Sequence, residues 1–476
     1  MDAKTNKLLE GPIIRSLFTL AVPIVFANIL QAAYQLIDAF WVGRLGADAV
    51  AAVSVSMPFT FLTISLGAGL AIAGSTLIAQ YVGARNQQMV DHIAGQTMLM
   101  VAIVSVVLGL AGYLASPFFL RLMGVSPAVY AAALGFMRVS FIGLVFNFSF
   151  SMFQSIMRGI GKVGVPVYIV LGTVLLNFLL DPLFIFGWGP IPATGVMGAA
   201  LATLGTQSLA AIIGLALLFG GKYGIKLHWK NFVPDFTYIK RAFFLGFPSS
   251  IEMSMRGLSL TVMTFLIASF GTLTVAAYGV GSNVLQVVMI PAMGLSMAIS
   301  ILVGQNIGAG NIERAARIGR LGALLGFGIL EFFGVIVFLF APSFVGFFVP
   351  GSPEVIAAGA TFLRTMSLAW GFMGVQMALT GVLRASGNMM VTMVLTLVSQ
   401  WVIQFPLAYV LSKHTTLGAS GLWWAFPVAN VVITLVTLGV YAKGDWKKKR
   451  LTEEETIEGQ VTEEIIAEEA FMNLQS

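Results

Sequence analysis

Twelve runs of mostly apolar residues dominate the chain, at roughly 14–43, 48–80, 91–117, 127–158, 163–187, 195–220, 239–270, 273–305, 315–341, 353–384, 388–412 and 417–441. Each reaches the ~20 residues that an α-helix needs to cross a bilayer. Inside lipid, every backbone N–H and C=O must be satisfied within the span, which leaves only helices and closed barrels. A barrel requires short alternating segments, whereas these runs are continuously apolar. The expected fold is therefore an all-α polytopic membrane protein with twelve transmembrane helices. Only 10% of residues are charged, against about 25% in a soluble chain, so the charged shells of soluble domains cannot be built. The first run is too long for a signal-peptide core, and no small-residue cleavage site follows it.

What the chain lacks narrows its chemistry. It has no cysteine, which removes disulfides, thiolate metal sites and a Cys nucleophile. His92, His228 and His414 lie in or beside polar connections. No HExxH motif supports an intramembrane enzyme, and no GxxxxGK[ST] loop supports a primary pump. The net charge of +6 is read as topology rather than nucleic-acid binding. Lys and Arg gather at the N-terminus, in the even-numbered connections and at 443–450, while the odd-numbered connections hold only Arg44, Arg121 and Lys413. Positive charge stays inside, so both termini are expected to be cytoplasmic in a multi-pass cell-membrane protein.

The chain also repeats itself. At an offset of 225, Pro23 meets Pro248, Gly46 meets Gly271, Val50-Ala51-Ala52 meets Val275-Ala276-Ala277, and Gln80 meets Gln305. At 226, Arg158-Gly159-Ile160-Gly161 meets Arg384-Ala385-Ser386-Gly387. Six spans per half is an even number, so both halves enter from the same side. Two homologous six-helix lobes are expected, related by a pseudo-two-fold along the membrane normal, an arrangement associated with rocking carriers. Residues 1–220 form the first lobe, 221–238 a cytoplasmic linker, 239–442 the second lobe and 443–476 a basic then acidic tail. The glutamate-rich tail reads as a solvated segment, dispensable if the chain is cut after Arg450.

Four acidic residues fall inside membrane runs: Asp38, Asp181, Glu252 and Glu331. A carboxylate there is expensive unless protonated, paired or hydrated. Counting from the outer helix ends puts Asp38 at ~8 Å depth, Asp181 at ~9 Å and Thr203 at ~10–12 Å, with Asn177 one turn from Asp181. Such oxygens suit a hard cation, and two adjacent carboxyls can instead share a proton. Arg44 offers Asp38 a purely local pairing as an alternative. Gln31, Tyr34, Gln35 and Asp38 form one polar stripe on the first helix, expected to face a cavity, with Pro23 upstream as a bend point. Glu252 and Arg256 are one turn apart, as either a second cation or substrate site or an internal ion pair. Glu331 has no helical partner in view. The repeat pairs Asp38 with Met263, Asn177 with Ile403 and Asp181 with Leu407, so only the first half keeps the acidic pair.

Across residues 10–443 the chain resembles the multidrug and toxic compound extrusion (MATE) family, more closely its DinF-like than its NorM-like branch. The resemblance rests on Ala21-Val22-Pro23, on Asp38 with Trp41-Val42-Gly43, on Gln80-Tyr81-Val82-Gly83-Ala84 and on Asn177-Phe178-Leu179-Leu180-Asp181-Pro182. It implies export of small amphipathic, often cationic, drugs or metabolites by alternating access, driven by inward H⁺ or Na⁺. It maps the coupling cation, including Na⁺ if that is the ion, to Asp38, Asn177, Asp181 and Thr203. Gln31 and Tyr34 would then stand on the cavity wall and Pro23 would be the bend. The acidic residue of NorM-like members in helix 10 is absent; Arg364, Trp370 and Gln376 stand there. No cofactor is expected beyond the coupling ion. The expected partners are small organic substrates and the lipid bilayer, with no nucleic acid, and the chain is expected to be a monomer. A flippase for lipid-linked sugars, or another metabolite exporter of the same superfamily, is the alternative. Arg256 and Arg364 are the only mid-helix basic residues that this reading finds for a pyrophosphate headgroup.

Overall fold

The computed structural model describes residues 8–190 and 192–452; Lys4, Lys7 and the glutamate-rich tail lie outside the described residues. The first six spans are α1 (Ile13–Gly43), α2 (Ala47–Gly83), α3 (Gln87–Leu122), α4 (Pro127–Gly159), α5 (Gly164–Phe186) and α6 (Val196–Gly220). After a one-turn 3₁₀ segment at Trp229–Phe232, the second set begins with α7 (Phe236–Ala268), α8 (Thr272–Gly308) and α9 (Ile312–Phe348). It continues through α10 (Pro353–Ser367), α11 (Trp370–Ala385), α12 (Met389–Leu397), a π-helical stretch at Val398–Gln404, α13 (Phe405–Lys413) and α14 (Ala419–Lys443). Among the described residues, eleven helices are long and apolar enough to span a bilayer, or twelve with α10 and α11 taken as one bent span.

The repeat is visible in the backbone. Gly46 and Gly271 cap α2 and α8 with φ of 105° and 96°, a region that only glycine enters without strain. Separate apolar clusters lie wholly within the first and the second lobe. A further one seats α1 of the first lobe against α8 and α9 of the second, and the lobes meet through the α1–α8, α2–α7 and α2–α8 pairs. From Ser65 to Gly83 α2 is mostly buried, as is α8 from Ala292 to Gly308, whereas α2 before Ser65 is mostly exposed or half-buried and α8 before Ala292 buries only about one face. The lobes therefore close at the end bearing Leu8 and Thr452, here the basal end, and diverge at the other. Basal contact is backbone-close: a Cβ on Gly83 would collide with the Gln305 carbonyl, and one on Gly308 with that of Gln80. The Gln80 amide donates to Ala385 O (2.7 Å) and that of Gln305 to Gly159 O (2.9 Å). These two clamps are repeat equivalents.

The tenth run is not one helix: α10 and α11 meet at a 51° bend. Pro342 explains part of this region. It has no N–H for the carbonyl four residues back, Phe338 O, and α9 leaves helical geometry at Phe340. The Arg364 Nε donates to Phe338 O at 3.1 Å, so this arginine satisfies the orphaned carbonyl. Past the break, Glu331 Oε2 accepts from Gly371 N (3.1 Å), one of the unpaired amides at the start of α11. A side chain at position 371 would strike that carboxylate. Glu331, which had no partner in view, and Arg364, considered above only as a mid-helix cation, thus satisfy backbone groups on either side of the bend.

Candidate functional site

Helices α1, α5 and α6 bring the first-lobe polar residues into one cluster. The Asn177 side chain is its centre. Its Nδ2 donates to Asp38 Oδ1 at 2.6 Å and to Asp181 Oδ2, one turn along α5, at 3.0 Å. Its Oδ1 accepts from the Tyr34 hydroxyl at 2.8 Å. Thr203 on α6 reaches Asp38 Oδ2 only at 3.5 Å, the limit of a hydrogen bond. Asn177 and Asp181 are fully buried, Asp38 is half-buried, and the one Asn177 Nδ2 bridges the two carboxyls. Asp181 Oδ1 is buried without a hydrogen-bond partner, a costly state for a carboxyl oxygen unless a proton or cation meets it.

The polar stripe of α1 divides. Gln31 and Gln35 are exposed, whereas Tyr34 is buried inside the cluster, its hydroxyl also 2.6 Å from Thr206 Oγ1. Thr206 is the member that sequence reasoning missed, although it stands one turn after Thr203 on the same face. Pro23 lies within one continuous helix, α1. The local alternative for Asp38 does not form: Arg44 instead stacks over Phe40 and Trp41, at 4.6 and 5.2 Å from the ring centroids.

The equivalent place in the second lobe is built differently. There α5 corresponds to α12, the π-helical stretch and α13, and Ile403 and Leu407 stand where Asn177 and Asp181 stand. Glu252 is fully buried and saturated. Its Oε1 takes Arg384 Nη2 (2.7 Å), Arg256 Nη2 (3.0 Å) and Thr396 Oγ1 (3.1 Å), and its Oε2 takes Thr392 Oγ1 (3.3 Å). A carboxylate matched by two guanidiniums is an ion-pair triad and not a cation site. Arg138, inside α4 and packed on the Tyr113 ring at 4.8 Å, is a third intramembrane arginine that the sequence reading overlooked.

As a ligand set, the first-lobe cluster fits a light cation unevenly. Asp38, Asp181 and Thr203 present oxygens, but Asn177 turns its Nδ2, not its Oδ1, toward both carboxyls. This orientation suits a proton between the carboxyls; Na⁺ would want the amide reversed.

Comparison with known proteins agrees with this architecture. The MatE family model matches residues 23–183 and 248–410, one segment in each lobe. The probable multidrug resistance protein YoeA of Bacillus subtilis is 30% identical over 94% of this chain and 97% of its own length. The probable multidrug resistance protein NorM of Thermotoga maritima is 25% identical over 94% and 96%. A solved outward-facing conformation of a multidrug resistance transporter superposes with a TM-score of 0.85 at 25% identity, covering 94% of this chain and all of that one.

Proposed function

We propose that this chain, which belongs to the MatE family of multidrug efflux transporters, exports small amphipathic compounds in exchange for protons carried by Asp38 and Asp181. The observation that carries the choice of ion is Asp181 Oδ1, buried without a partner beside Asp38. One proton between the two carboxyls satisfies that oxygen and removes a unit of charge from a dry site, while the Asn177 amide already donates to both. Sodium is the second reading, favoured by the oxygen-rich donor set and opposed by the orientation of that amide.

Basal closure with divergence at the opposite end is the outward-open arrangement if the basal end is cytoplasmic. The lysines and arginines of that end support this sidedness. In the proposed cycle, protonation of the Asp38–Asp181 pair changes the packing of α1 against α5 and α6, reshaping the wall that bears Gln31 and Gln35. Substrate then leaves outward, and proton release to the cytoplasm resets the site. A ligand can drive this only by favouring one state over the other. The deciding experiment is efflux from proteoliposomes under separately imposed proton and sodium gradients. Efflux driven by sodium alone would overturn the proton assignment and favour the second reading.

A further inference from the structure

The surplus charge of the Glu252 triad points to a specific subsite. One carboxylate faces two guanidiniums, and among the described residues no other carboxylate pairs with either. One positive charge is left over. Arg384 is largely buried, with 20% of its side chain exposed, whereas Arg256 has 42% exposed, so the excess surfaces through Arg256. Its hydrogen bonds to Glu252 and Thr396 both run from Nη2, which leaves Nε and Nη1 of the planar fork for a ligand.

Helix geometry says where that fork points. Five of the six large exposed apolar residues of α7 (Phe236, Phe244, Phe247, Leu258 and Phe265) fall within an arc of about 80° at ~100° per residue, and the sixth, Leu260, stands on the opposite side about 40° from Arg256. The arc of five is its lipid face. Arg256 stands about 160° from Leu258 by the same count, on the side turned away from lipid. Gly246, Ser250 and Gly257 mark the flank packed on α2. The repeat equivalent of Arg256 is Gln31, which is exposed and lies opposite the lipid stripe of α1 (Phe18, Val22, Ile29, Leu36). Across the cleft that opens away from the basal end, the two lobes thus present a glutamine and an arginine at matching depth.

We propose that Arg256 is the anion-recognising group of the substrate cavity, taking the carboxylate of amphipathic organic acids or zwitterions through Nε and Nη1. This rests on the export reading above. A guanidinium matches a carboxylate with two parallel N–H···O bonds. Glu252 serves as its buried anchor, fixing the fork before substrate arrives and lowering the cost of ordering it. The substrates so favoured carry an anionic group at the second lobe and an apolar or cationic body toward the first.

The test uses a xanthene dye with a free carboxyl and its methyl ester, with equilibrium binding to purified protein and efflux from proteoliposomes measured for both. The unaltered chain should bind the acid about tenfold tighter than the ester, with a preference that falls as salt rises. Arg256→Gln should bring the acid-to-ester ratio near one, and Arg256→Lys, which keeps charge but loses the fork, should retain only part of it. The thermal unfolding midpoint of each variant identifies any that fails to fold, and the lysine variant guards against loss of the glutamine one. Equal binding of acid and ester by the unaltered chain, or an unaltered preference in Arg256→Gln, overturns the subsite alone. A chain that neither binds nor moves either dye overturns the export reading and the subsite with it.

Discussion

The backbone amide of Leu451 donates to the Gln80 side-chain oxygen at 2.6 Å, tying the last described turn of the chain to the clamp that closes the lobes. The neighbouring hydrogen bonds all run to the second lobe, so this turn bridges it to Gln80 of the first. Arg241 donates to Leu451 O (2.8 Å), Arg450 to Ile307 O and Gly308 O, and Lys449 to Gly387 O. Leu451 and Thr452 are buried, and Leu451 sits on Gly387, whose φ of 79° bars a side chain. The boundary of dispensable tail therefore moves from Arg450 to Thr452. Truncation after Thr452 should leave transport intact, whereas truncation after Arg450 should loosen the basal end. Two lost hydrogen bonds at ~1 kcal/mol each correspond to roughly a tenfold or greater shift in the open population. Ser386→Cys, buried at this end in an otherwise cysteine-free chain, reports it. Its labelling by a water-soluble maleimide should accelerate by that factor in the chain ending at Arg450 and hold steady in the one ending at Thr452.

Asp38→Asn and Asp181→Asn each replace an ionisable group by a neutral one of the same shape. Each should abolish gradient-driven efflux at matched expression while the unfolding midpoint stays within a few degrees. In the parent, substrate binding should weaken as pH falls, because the protonated pair favours the released state. That dependence should flatten in both variants. Normal transport by both variants would exclude this cluster as the coupling site.

Tyr34→Phe removes the donor that holds Asn177 Oδ1 and breaks the contact with Thr206. An unpaired buried acceptor costs about 1–3 kcal/mol. The expected result is a lower unfolding midpoint together with efflux reduced severalfold rather than lost, since both carboxyls remain. Thr206→Val should give a milder version of the same phenotype. A Tyr34→Phe protein with full activity and an unchanged midpoint would make the hydroxyl incidental.

Glu252→Gln should destabilise the second lobe rather than uncouple transport. Removing the charge leaves Arg384 and Arg256 without their counter-ion, and breaking a buried pair costs about 3–5 kcal/mol. The expected reading is a large fall in unfolding midpoint and in membrane yield, with ion-coupling stoichiometry preserved in whatever protein remains. Glu331→Gln should be nearly neutral, because the amide oxygen still accepts from Gly371 N.

Much of this was legible in one dimension. Span number, helical class and the repeat follow from apolar length and from residues such as Pro23 and Pro248 that recur at a fixed offset. The meeting of Asp38, Asn177 and Asp181 follows from depth counting, because helices in a bilayer convert sequence position into height. What depth cannot give is partner choice around the helix. Tyr34 sits on the same stripe as Gln31 yet turns inward to Thr206, and Glu252 finds Arg384, 132 residues away, which no local spacing announces. The break at 368–369 was hidden for a related reason. The groups beside it are answered from another helix: Arg364 takes the Phe338 carbonyl left free by Pro342, and Glu331 takes the Gly371 amide.

The glycines of the basal contact allow a last prediction. At Gly83 and Gly308 any side chain would run into the backbone carbonyl of the facing helix, and a carbonyl held in a helix cannot swing aside as a side-chain tip would. Either Gly→Ala substitution must push α2 and α8 apart at the basal end, lengthening the Gln80–Ala385 and Gln305–Gly159 bonds while leaving the opposite end free. Both variants should fold, because the apolar clusters confined to the first and to the second lobe do not include this contact. Both should favour the state open at the basal end, with faster labelling of Ser386→Cys and efflux reduced at least severalfold. Because the two positions are repeat equivalents facing each other's helix, the double variant should add little once either single one has opened the contact. Additive effects on labelling would mean that the two glycines guard separate contacts. Unchanged labelling in both single variants would mean that the closed base tolerates the extra methyl group and that close backbone approach is not what holds it shut.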